Sequence, residues 1–354
     1  PLYHASTYAQ TSVDSFGAWD YARSGNPTRQ AVEKTIAELE GGAAGFAFAS
    51  GMAAISSTLL LFRPGDHIVV GEDVYGGAFR VMTRIFEPWG ARFDFVDATD
   101  VDAVRAALRP ETRALYVETP SNPLLKIADL RALSTLARER GILTIVDNTF
   151  MTPWLQRPLE LGCDIVLHSG TKFLNGHTDV VCGFAVAAGA AMGESLRFVQ
   201  NAFGAVLGPS DAWLALRGMR TLGVRMEESQ RSAMTIARWL EGHAHVTRLR
   251  YPGLASHPGH DVHLGQAAGP GAVLSFELDT VERTRRLLEG VRLSAFAVSL
   301  GGVESVLSWP ARMSHAAMPA EERARRGISD TLVRLSVGLE DPDDLIAEMD
   351  SLIG

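Results

Sequence analysis

The chain has 354 residues, of which 46% are hydrophobic and 21% charged, so its length fits two fused domains and its composition excludes a disordered module. Its 41 acidic residues outnumber its 33 basic residues, which gives a net charge of −8, and no Lys- or Arg-rich run is present to bind nucleic acid. The longest apolar runs, residues 55–62 and 184–192, are too short or too rich in Gly and Ala to cross a bilayer. We predict a cytoplasmic globular protein without a nucleic-acid or membrane partner.

Cysteine usage agrees with that location. Cys163 and Cys182 are the two cysteines of the chain, they stand in apolar contexts, and they form no C-x-x-C pair. We predict that both are buried, reduced thiols.

The first residues predict an arm. Residues 1–24 are rich in Ser, Thr, Tyr and Ala and have no clear periodicity. We predict that they reach over a partner subunit, and a loose terminus is the alternative. Because the chain begins with Pro1 and no initiator Met, we also expect that some native N-terminal residues are missing.

Between residues 25 and 220, short β-branched runs alternate with longer helical patterns, which is typical of a mostly parallel sheet wrapped by helices. The predicted strands are residues 45–48, 67–70, 92–96, 114–118, 143–147, 165–168 and 182–187. Apolar residues three and four apart predict helices over residues 29–40, 51–62, 74–86, 101–108 and 129–140. These elements predict a seven-stranded α/β domain over residues 25–223.

The last third of the chain has a different pattern. A helical pattern over residues 211–240, interrupted near Gly218 and Gly223, carries the chain into a second domain. Further strands are predicted over residues 273–278, 295–300 and 332–337, and helices over residues 281–289 and 342–353. We therefore predict a smaller α+β domain over residues 224–354.

Ligands of an open α/β sheet bind beyond the carboxyl ends of its strands, and two predicted strands end there in polar residues. Strand 143–147 ends in Asp147, and strand 165–168 leads into a turn that ends in Lys172. A buried carboxylate needs a cation or hydrogen-bond donors, and a desolvated lysine amine becomes a nucleophile toward carbonyl carbons. Taken alone, Asp147 is also explained as a helix cap or ion-pair member, and Lys172 as a surface lysine.

A phosphate-binding turn adds a third feature. Residues 49–54, Ala-Ser-Gly-Met-Ala-Ala, follow a predicted strand and begin an apolar helix, so the free N–H groups of Gly51 and Met52 favour an anion. Ser169 and Thr171 supply hydroxyl donors for the same anion. Pyridoxal phosphate carries a phosphate, a basic ring nitrogen and an aldehyde, and these match the anion site, the acid and the amine.

Together these motifs resemble the cysteine/methionine-metabolism, or transsulfuration, family of pyridoxal-phosphate enzymes. The matching segments are residues 21–28, 49–54, 74–77, 118–123, 146–150, 169–179, 299–305 and 334–338. The resemblance implies the aspartate-aminotransferase-like (type I) fold of pyridoxal-phosphate enzymes, with a mostly parallel seven-stranded sheet and a smaller C-terminal α+β domain. It also implies pyridoxal phosphate as the cofactor.

The resemblance assigns three catalytic residues. Lys172 would bind the cofactor as a Schiff base and then carry protons. Asp147 would pair with the ring nitrogen and keep it protonated, which makes the ring an electron sink. Tyr75 would stack on the ring and act as an acid or base near the substrate amine, with a core tyrosine as the alternative.

The resemblance also implies that the cofactor phosphate is shared between subunits. The ligands implied within one subunit are Gly51, Met52, Ser169 and Thr171. Tyr21 and Arg23 would come from the neighbouring subunit. Such sharing requires a homodimer, and the family usually forms a tetramer of two dimers.

For the substrate, the resemblance implies a grip on the α-carboxylate. Arg334 would hold it in a bidentate fork, assisted by Ser299 and Asn122. Arg80 aligns with a family position that reaches the distal part of larger substrates. We predict no metal in the site.

Two positions bear on which bond is cleaved. Val298 stands where family members that act on cystathionine in the γ direction often carry an acidic residue. Gly77 stands where methionine γ-lyases tend to have a cysteine. Residues 173–177 and 198–201 are similar to the cystathionine-lyase branch generally.

We therefore predict a carbon–sulfur lyase that cleaves cystathionine or related sulfur amino acids by β- or γ-elimination. The products would be a 2-oxo acid, ammonia and a thiol. The alternatives are a γ-replacement enzyme, namely cystathionine γ-synthase or O-acylhomoserine sulfhydrylase, and a methionine γ-lyase.

Other classes of protein fit the sequence less well. No G-x-G-x-x-G motif begins a helix after a strand, which disfavours a dinucleotide-dependent oxidoreductase. His257, His260 and His263 lack a zinc-enzyme signature, and we predict a solvated loop there. A binding protein that has lost its chemistry is disfavoured because Lys172 and Asp147 are intact.

Overall fold

The computed structural model of the chain describes residues 1–316 and 320–354. Its larger sheet has seven strands: β1 (Ala44–Phe48), β2 (His67–Gly71), β3 (Arg92–Val96), β4 (Thr112–Glu118), β5 (Leu143–Asp147), β6 (Ile165–His168) and β7 (Gly183–Ala187). They lie in the order β1-β7-β6-β5-β4-β2-β3, and β7 runs antiparallel to its neighbours β1 and β6. The predicted seven-stranded, mostly parallel sheet is confirmed.

Helices alternate with these strands along the chain. They are α1 (Pro27–Glu40), α2 (Gly51–Leu59), α3 (Gly76–Val81), α4 (Glu87–Trp89), α5 (Val101–Ala107), α6 (Leu130–Arg140), α7 (Thr152–Leu155), α8 (Ala190–Phe203), α9 (Pro209–Met219) and α10 (Leu222–Glu241). Helix α8 is absent from the sequence-based prediction. Within the described residues, no helix combines the length and apolar character needed to cross a membrane.

Both faces of the larger sheet are buried under helices. The consecutive β5 residues Ile145 and Val146 point to opposite faces, and they belong to different apolar clusters. Ile145 shares its cluster with Ile55 of α2, whereas Val146 shares its cluster with Leu133 of α6. Burial on both faces explains why these strands are nearly continuous apolar runs in the sequence.

A second, five-stranded sheet follows α10. Its strands are β8 (Val246–Arg250), β9 (Val273–Leu278), β10 (Ala295–Phe296), β11 (Val306–Ser308) and β12 (Leu332–Ser336), in the order β10-β11-β12-β9-β8. The helices of this part are α11 (His260–Gln266), α12 (Val281–Gly290), α13 (Ala320–Arg325) and α14 (Pro342–Ile353). Strands β8 and β11 are additions to the prediction, and the strand predicted over residues 295–300 ends at Phe296.

Predictions about two sets of side chains have opposite outcomes. Cys163 and Cys182 are buried and unpaired, as predicted. The solvated loop predicted around the histidines is wrong, because His257 and His263 are buried, and the Nε2 atom of His263 lies 2.9 Å from the Gly269 carbonyl oxygen. Main-chain atoms pair with one nitrogen of each ring, since the Gly259 N–H donates to the His257 Nδ1 atom at 3.1 Å.

Candidate active site

A cavity of about 640 Å³ lies beyond the carboxyl ends of β4 and β5, where α/β sheets bind ligands. Both sheets contribute to its walls, since Asp147 ends β5 and Arg334 lies on β12. The predicted site residues that line the cavity are Gly51, Met52, Tyr75, Arg80, Asn122, Asp147, Ser169, Thr171, Lys172, Ser299 and Arg334. The structure therefore brings together residues that are far apart in the sequence.

Lys172 extends into the cavity from the turn that follows β6. Its Nζ atom donates a hydrogen bond to the hydroxyl oxygen of Ser299, which lies in the C-terminal third of the chain. Burial, and then the positive charge of Arg334, lower the pKa of Lys172 to about 8. About a tenth of the amine is therefore uncharged at pH 7, and the uncharged form is the one that acts as a nucleophile or base.

Thr149 fixes the side chain of Asp147 at the end of β5. Its Oδ1 atom accepts hydrogen bonds from the Thr149 hydroxyl at 2.5 Å and from the Thr149 N–H at 3.1 Å. Burial raises the pKa of Asp147, and these two bonds oppose the shift. The carboxylate is thus oriented but only partly compensated, and a cationic ring nitrogen would complete it.

The N-terminus of α2 forms an anion site, or phosphate cradle, in which main-chain N–H groups are the donors. Ser50 caps the helix, since its hydroxyl oxygen accepts a hydrogen bond from the Ala53 N–H at 3.0 Å. A Cβ atom at Gly51 would lie 2.8 Å from the Cβ atom of Ser169, which is too close. Glycine therefore leaves room at a helix end whose free N–H groups favour an anion.

Arg334 is a buried cation without a carboxylate partner among the described residues. Its two terminal nitrogens donate to the Asn122 side-chain oxygen at 2.8 Å and to the Ser299 carbonyl oxygen at 2.7 Å. Its Nε atom is buried and has no hydrogen-bond partner among the residues that the structure describes. Burial lowers the pKa of Arg334 to about 10, so the group stays cationic at neutral pH.

Ser299 connects the two basic residues of the cavity. Its side chain accepts from Lys172 and its carbonyl oxygen accepts from Arg334. The backbone φ of Ser299 is +86°, a left-handed conformation that non-glycine residues rarely adopt. Strain of this kind is typical of functional sites, where the surroundings hold the residue in place.

Tyr75 lies at the cavity where α3 begins, and the residue is 39% exposed. Its N–H donates to the Glu118 Oε2 atom at 2.8 Å. A Cβ atom at residue 77 would lie 2.3 Å from the Cε1 atom of the Tyr75 ring, so glycine at this position gives the ring its space.

The turn that carries Lys172 is fastened by Arg225 of α10. The Arg225 guanidinium donates to the carbonyl oxygens of Phe173 at 2.7 Å, Leu174 at 3.3 Å and Gly218 at 2.9 Å. Residue 176 must be glycine here, because its φ is +71° and a Cβ atom would lie 2.0 Å from the Arg225 Nη1 atom. Local sequence does not indicate the contact with the Lys172 turn, because Arg225 lies 52 positions from Phe173.

Tyr21 and Arg23 do not line the cavity of their own chain. Arg23 donates to the carbonyl oxygen of Asn201 at 2.5 Å and to its side-chain oxygen at 3.1 Å, on α8. The cation–π contact of Arg23 with the Tyr21 ring, at 5.7 Å, keeps the two side chains together.

Among the lining residues that escaped the sequence-based assignment, two carry hydrogen-bonding side chains beside Asp147. Thr149 and Glu118 both border the cavity. Each lies within a segment that carries the family resemblance, residues 146–150 and 118–123, which was the available signal. Neither has a residue type that by itself indicates a cofactor contact.

Comparisons with known proteins agree with this geometry. The sequence profile of a family described as "Cys/Met metabolism PLP-dependent enzyme" matches residues 1–353. The cystathionine beta-lyase MetC of Bacillus subtilis is 57% identical over 98% of this chain and 88% of its own length. The cystathionine gamma-lyase of the same organism is 50% identical, over 99% of this chain and 92% of its own.

Solved structures give the same result. Cystathionine gamma-lyase from Lactobacillus plantarum, complexed with L-serine, has a TM-score of 0.98 and 46% identity, covering 99% of this chain and 92% of that one. Cystathionine gamma synthase from Xanthomonas oryzae pv. oryzae, in complex with cystathionine, has a TM-score of 0.98 and 44% identity, covering 100% and 92%. The predicted type I fold and pyridoxal phosphate cofactor are confirmed. The chain belongs to the family of pyridoxal-phosphate-dependent enzymes of cysteine and methionine metabolism.

Proposed function

We propose that this enzyme is a carbon–sulfur lyase that cleaves cystathionine at the β-carbon, giving homocysteine, pyruvate and ammonia. The observation that carries the choice of bond is Val298, which lines the cavity with 67% of its surface exposed. The described carboxyl groups of the lining, Glu118 and Asp147, belong to the buried wall instead. An acidic residue at position 298, which γ-cleaving relatives often carry, is thus absent.

The residues of the cavity fit the phosphate and the ring nitrogen of the cofactor. The phosphate would be held by the N–H groups of Gly51 and Met52 and by the hydroxyls of Ser169 and Thr171, and glycine at residue 51 leaves the Ser169 side chain its place beside the helix end. Asp147 would hold the protonated ring nitrogen. When bound, pyridoxal phosphate supplies an aldehyde carbon that condenses with amines and a ring that accepts an electron pair.

Lys172 carries out the proton transfers. Its amine, with a pKa lowered to about 8, removes the substrate α-proton. As the Cβ–S bond breaks and the electron pair leaves with sulfur, the Lys172 ammonium returns a proton to the thiolate. Water then releases the 2-oxo acid and ammonia. β-Elimination needs this one carbon–hydrogen cleavage, whereas γ-elimination needs a second one at the β-carbon.

A methionine γ-lyase is a poorer fit because of Gly77. The cysteine that such enzymes tend to carry has a Cβ atom, and a Cβ atom here would collide with the Tyr75 ring at 2.3 Å. Tyr75 would have to move for a cysteine to fit. The position of its ring therefore supports the cystathionine lyase proposal.

The choice of bond is tested by identifying the products. We expect that purified protein incubated with cystathionine and pyridoxal phosphate yields pyruvate and homocysteine in equal amounts, measured by mass spectrometry. Methionine supplied instead should give no more than a few per cent of that rate. Formation of 2-oxobutyrate and cysteine from cystathionine would contradict β-cleavage and show that Val298 does not decide the bond.

We also propose that the site is completed by a second copy of the chain. The phosphate cradle consists of neutral groups, Gly51, Met52, Ser169 and Thr171, and a phosphate dianion gains from a cation. Arg23 with its neighbour Tyr21, exposed on the chain surface, would supply it to the partner's cavity. A homodimer, or a tetramer of two dimers, follows from this, and a cytoplasmic location stays a prediction.

A mixture of two defective variants tests whether two subunits share each active site. Lys172→Met subunits and Arg23→Ala subunits should each have low activity, but a hybrid dimer contains one site with both residues intact. Random exchange makes half of the dimers hybrid, so about a quarter of wild-type activity should return. Absence of recovery, after mass spectrometry of the intact assemblies has verified subunit exchange, would refute the shared site.

A further inference from the structure

The cavity wall between Tyr75 and Asp147 contains Glu118, which has no role in the proposed function. Glu118 is the last residue of β4 and pairs in register with Asp147, the last residue of β5. Neighbouring strands lie about 4.8 Å apart, so two carboxyl groups border the same side of the cavity at close range. Both residues line the cavity.

The two carboxyl groups have unequal hydrogen bonding. Asp147 accepts two hydrogen bonds from Thr149, whereas Glu118 accepts one from the Tyr75 N–H at 2.8 Å. Carboxyl groups this close do not both ionise in a buried site, and the charge stays on the better-stabilised one. Asp147 is therefore the anion of the pair.

The surroundings of Glu118 favour its protonated form. Burial, and then the charges of Asp147 and Asp73, raise the pKa of Glu118 well above its ordinary value. The Tyr75 N–H and the Arg334 guanidinium oppose the shift. No carboxylate lies within 4.0 Å of Arg334 among the described residues, so Glu118 does not form an ion pair with it there.

The hydrogen bond that Glu118 accepts holds the start of α3. Tyr75 immediately precedes this helix, and its own side chain makes no capping hydrogen bond. The bond from the Tyr75 N–H to Glu118 therefore fixes the main chain from which the partly exposed ring projects. Movement of this main chain would displace the ring from the cofactor site.

We propose that Glu118 is a positioning residue that works as a neutral carboxyl group, fixing the main chain of Tyr75 while leaving Asp147 as the single anion of this wall. The inference rests on the cofactor assignment within the proposed function. It does not depend on which carbon–sulfur bond is cleaved. Its consequence is that an uncharged acceptor of the same shape should replace Glu118.

Cofactor binding by the apo-protein tests the neutral state. Glu118→Gln keeps the shape and an oxygen acceptor, whereas Glu118→Met keeps the length and removes the acceptor. Titration with pyridoxal phosphate, followed by absorbance of the bound cofactor, should give a dissociation constant within about twofold of wild type for Gln and about tenfold weaker for Met. Equal weakening by both substitutions would refute the neutral role.

A double-mutant cycle tests whether Glu118 acts through Tyr75. In a Tyr75→Ala background the ring is absent, so Glu118→Met should weaken cofactor binding by less than about twofold. A full tenfold effect in that background would refute the positioning role. The thermal unfolding midpoints of the apo-proteins check that each variant is folded.

The absorbance of the bound cofactor gives a second readout that does not need the Met variant to fold. The pH midpoint of its absorbance change reports the charges around the ring. We expect the midpoint of Glu118→Gln to coincide with that of wild type, because a neutral group replaces a neutral group. A displacement of more than about half a pH unit would show that Glu118 carries charge and would overturn the proposal.

Discussion

Replacing Lys172 with methionine is expected to lower the rate of 2-oxo acid formation by at least about 10³-fold. Among the residues that line the cavity, Lys172 is the one with an amine, and burial together with Arg334 lowers its pKa to about 8. General acid–base transfer alone contributes about 10²- to 10⁴-fold to such reactions, and methionine cannot carry a proton. The rate is measured by mass spectrometry over several hours with a large excess of cystathionine.

Lys34→Met serves as the matched control, since its side chain is 76% exposed and its ion pair with Glu38 lies within α1. This variant should keep wild-type activity. If Lys172→Met retained more than about a tenth of the wild-type rate, another group would have to move the α-proton, and the mechanism proposed above would be wrong.

The same variant should also change how the stability of the apo-protein depends on pH. The pKa of Lys172 is about 8 in the folded protein against an ordinary value of 10.5, so the unfolded chain binds more protons between these values. The stability of wild type therefore rises with pH across that window. At pH 7, Lys172→Met should be more stable by up to about 3 kcal/mol, and the difference should shrink toward pH 10. Urea unfolding at both pH values measures this, and an equal difference at both would contradict it.

Replacing Arg334 with methionine is expected to lower kcat/KM by about 10²- to 10³-fold, chiefly through KM. The guanidinium is buried, lacks a described carboxylate partner and keeps an unpaired Nε atom, which suits a substrate carboxylate. Loss of one member of a buried charge pair costs about 2–5 kcal/mol, and about 1.4 kcal/mol corresponds to tenfold. Arg334→Lys should be nearly as poor, because an ammonium cannot span Asn122, Ser299 and the carboxylate together.

A substrate analogue makes the contact with Arg334 measurable. The carboxamide of cystathionine's cysteine moiety lacks the α-carboxylate, and wild type should discriminate against it by about the same factor. Arg334→Met should be indifferent between the two compounds. If the variant still preferred the carboxylate as strongly as wild type does, Arg334 would not be its ligand. The affinity for pyridoxal phosphate should stay within about twofold and serves as the folding control.

The larger sheet is predictable because burial on both faces gives its strands a strong apolar signal, as in Ile145 and Val146. The smaller sheet is less predictable. Strand β8 lies at its edge and contains exposed residues such as Thr247 and Arg248, and β11 has only three residues. Edge position and short length both remove the periodicity on which a sequence-based prediction depends.

The candidate site likewise contains residues that local sequence indicates and contacts that it does not indicate. Asp147 and Lys172 follow buried strands, so local sequence indicates where they lie. The bond between Lys172 and Ser299 and the bond between Arg334 and Asn122 join residues 127 and 212 positions apart. Nothing local specifies such contacts. The family resemblance indicated that Asn122 assists Arg334, but it did not indicate the bond between Lys172 and Ser299. The burial of His257 and His263 likewise depends on the tertiary fold and was predicted wrongly.

The hydrogen bonds from Arg225 to the Lys172 turn have a consequence for the division of the chain into domains. The proposed boundary between residues 223 and 224 separates Arg225 from Phe173, Leu174 and Gly218, whose carbonyl oxygens it binds. A fragment that ends at residue 223 would remove the Arg225 donor from the buried Phe173 and Leu174 carbonyl oxygens, next to the lysine that the chemistry needs. The proposed domain boundary therefore does not separate two parts that are stabilised independently of each other. The larger part is no self-sufficient module, and exchanging the C-terminal part between relatives would also exchange the anchor of the reactive amine.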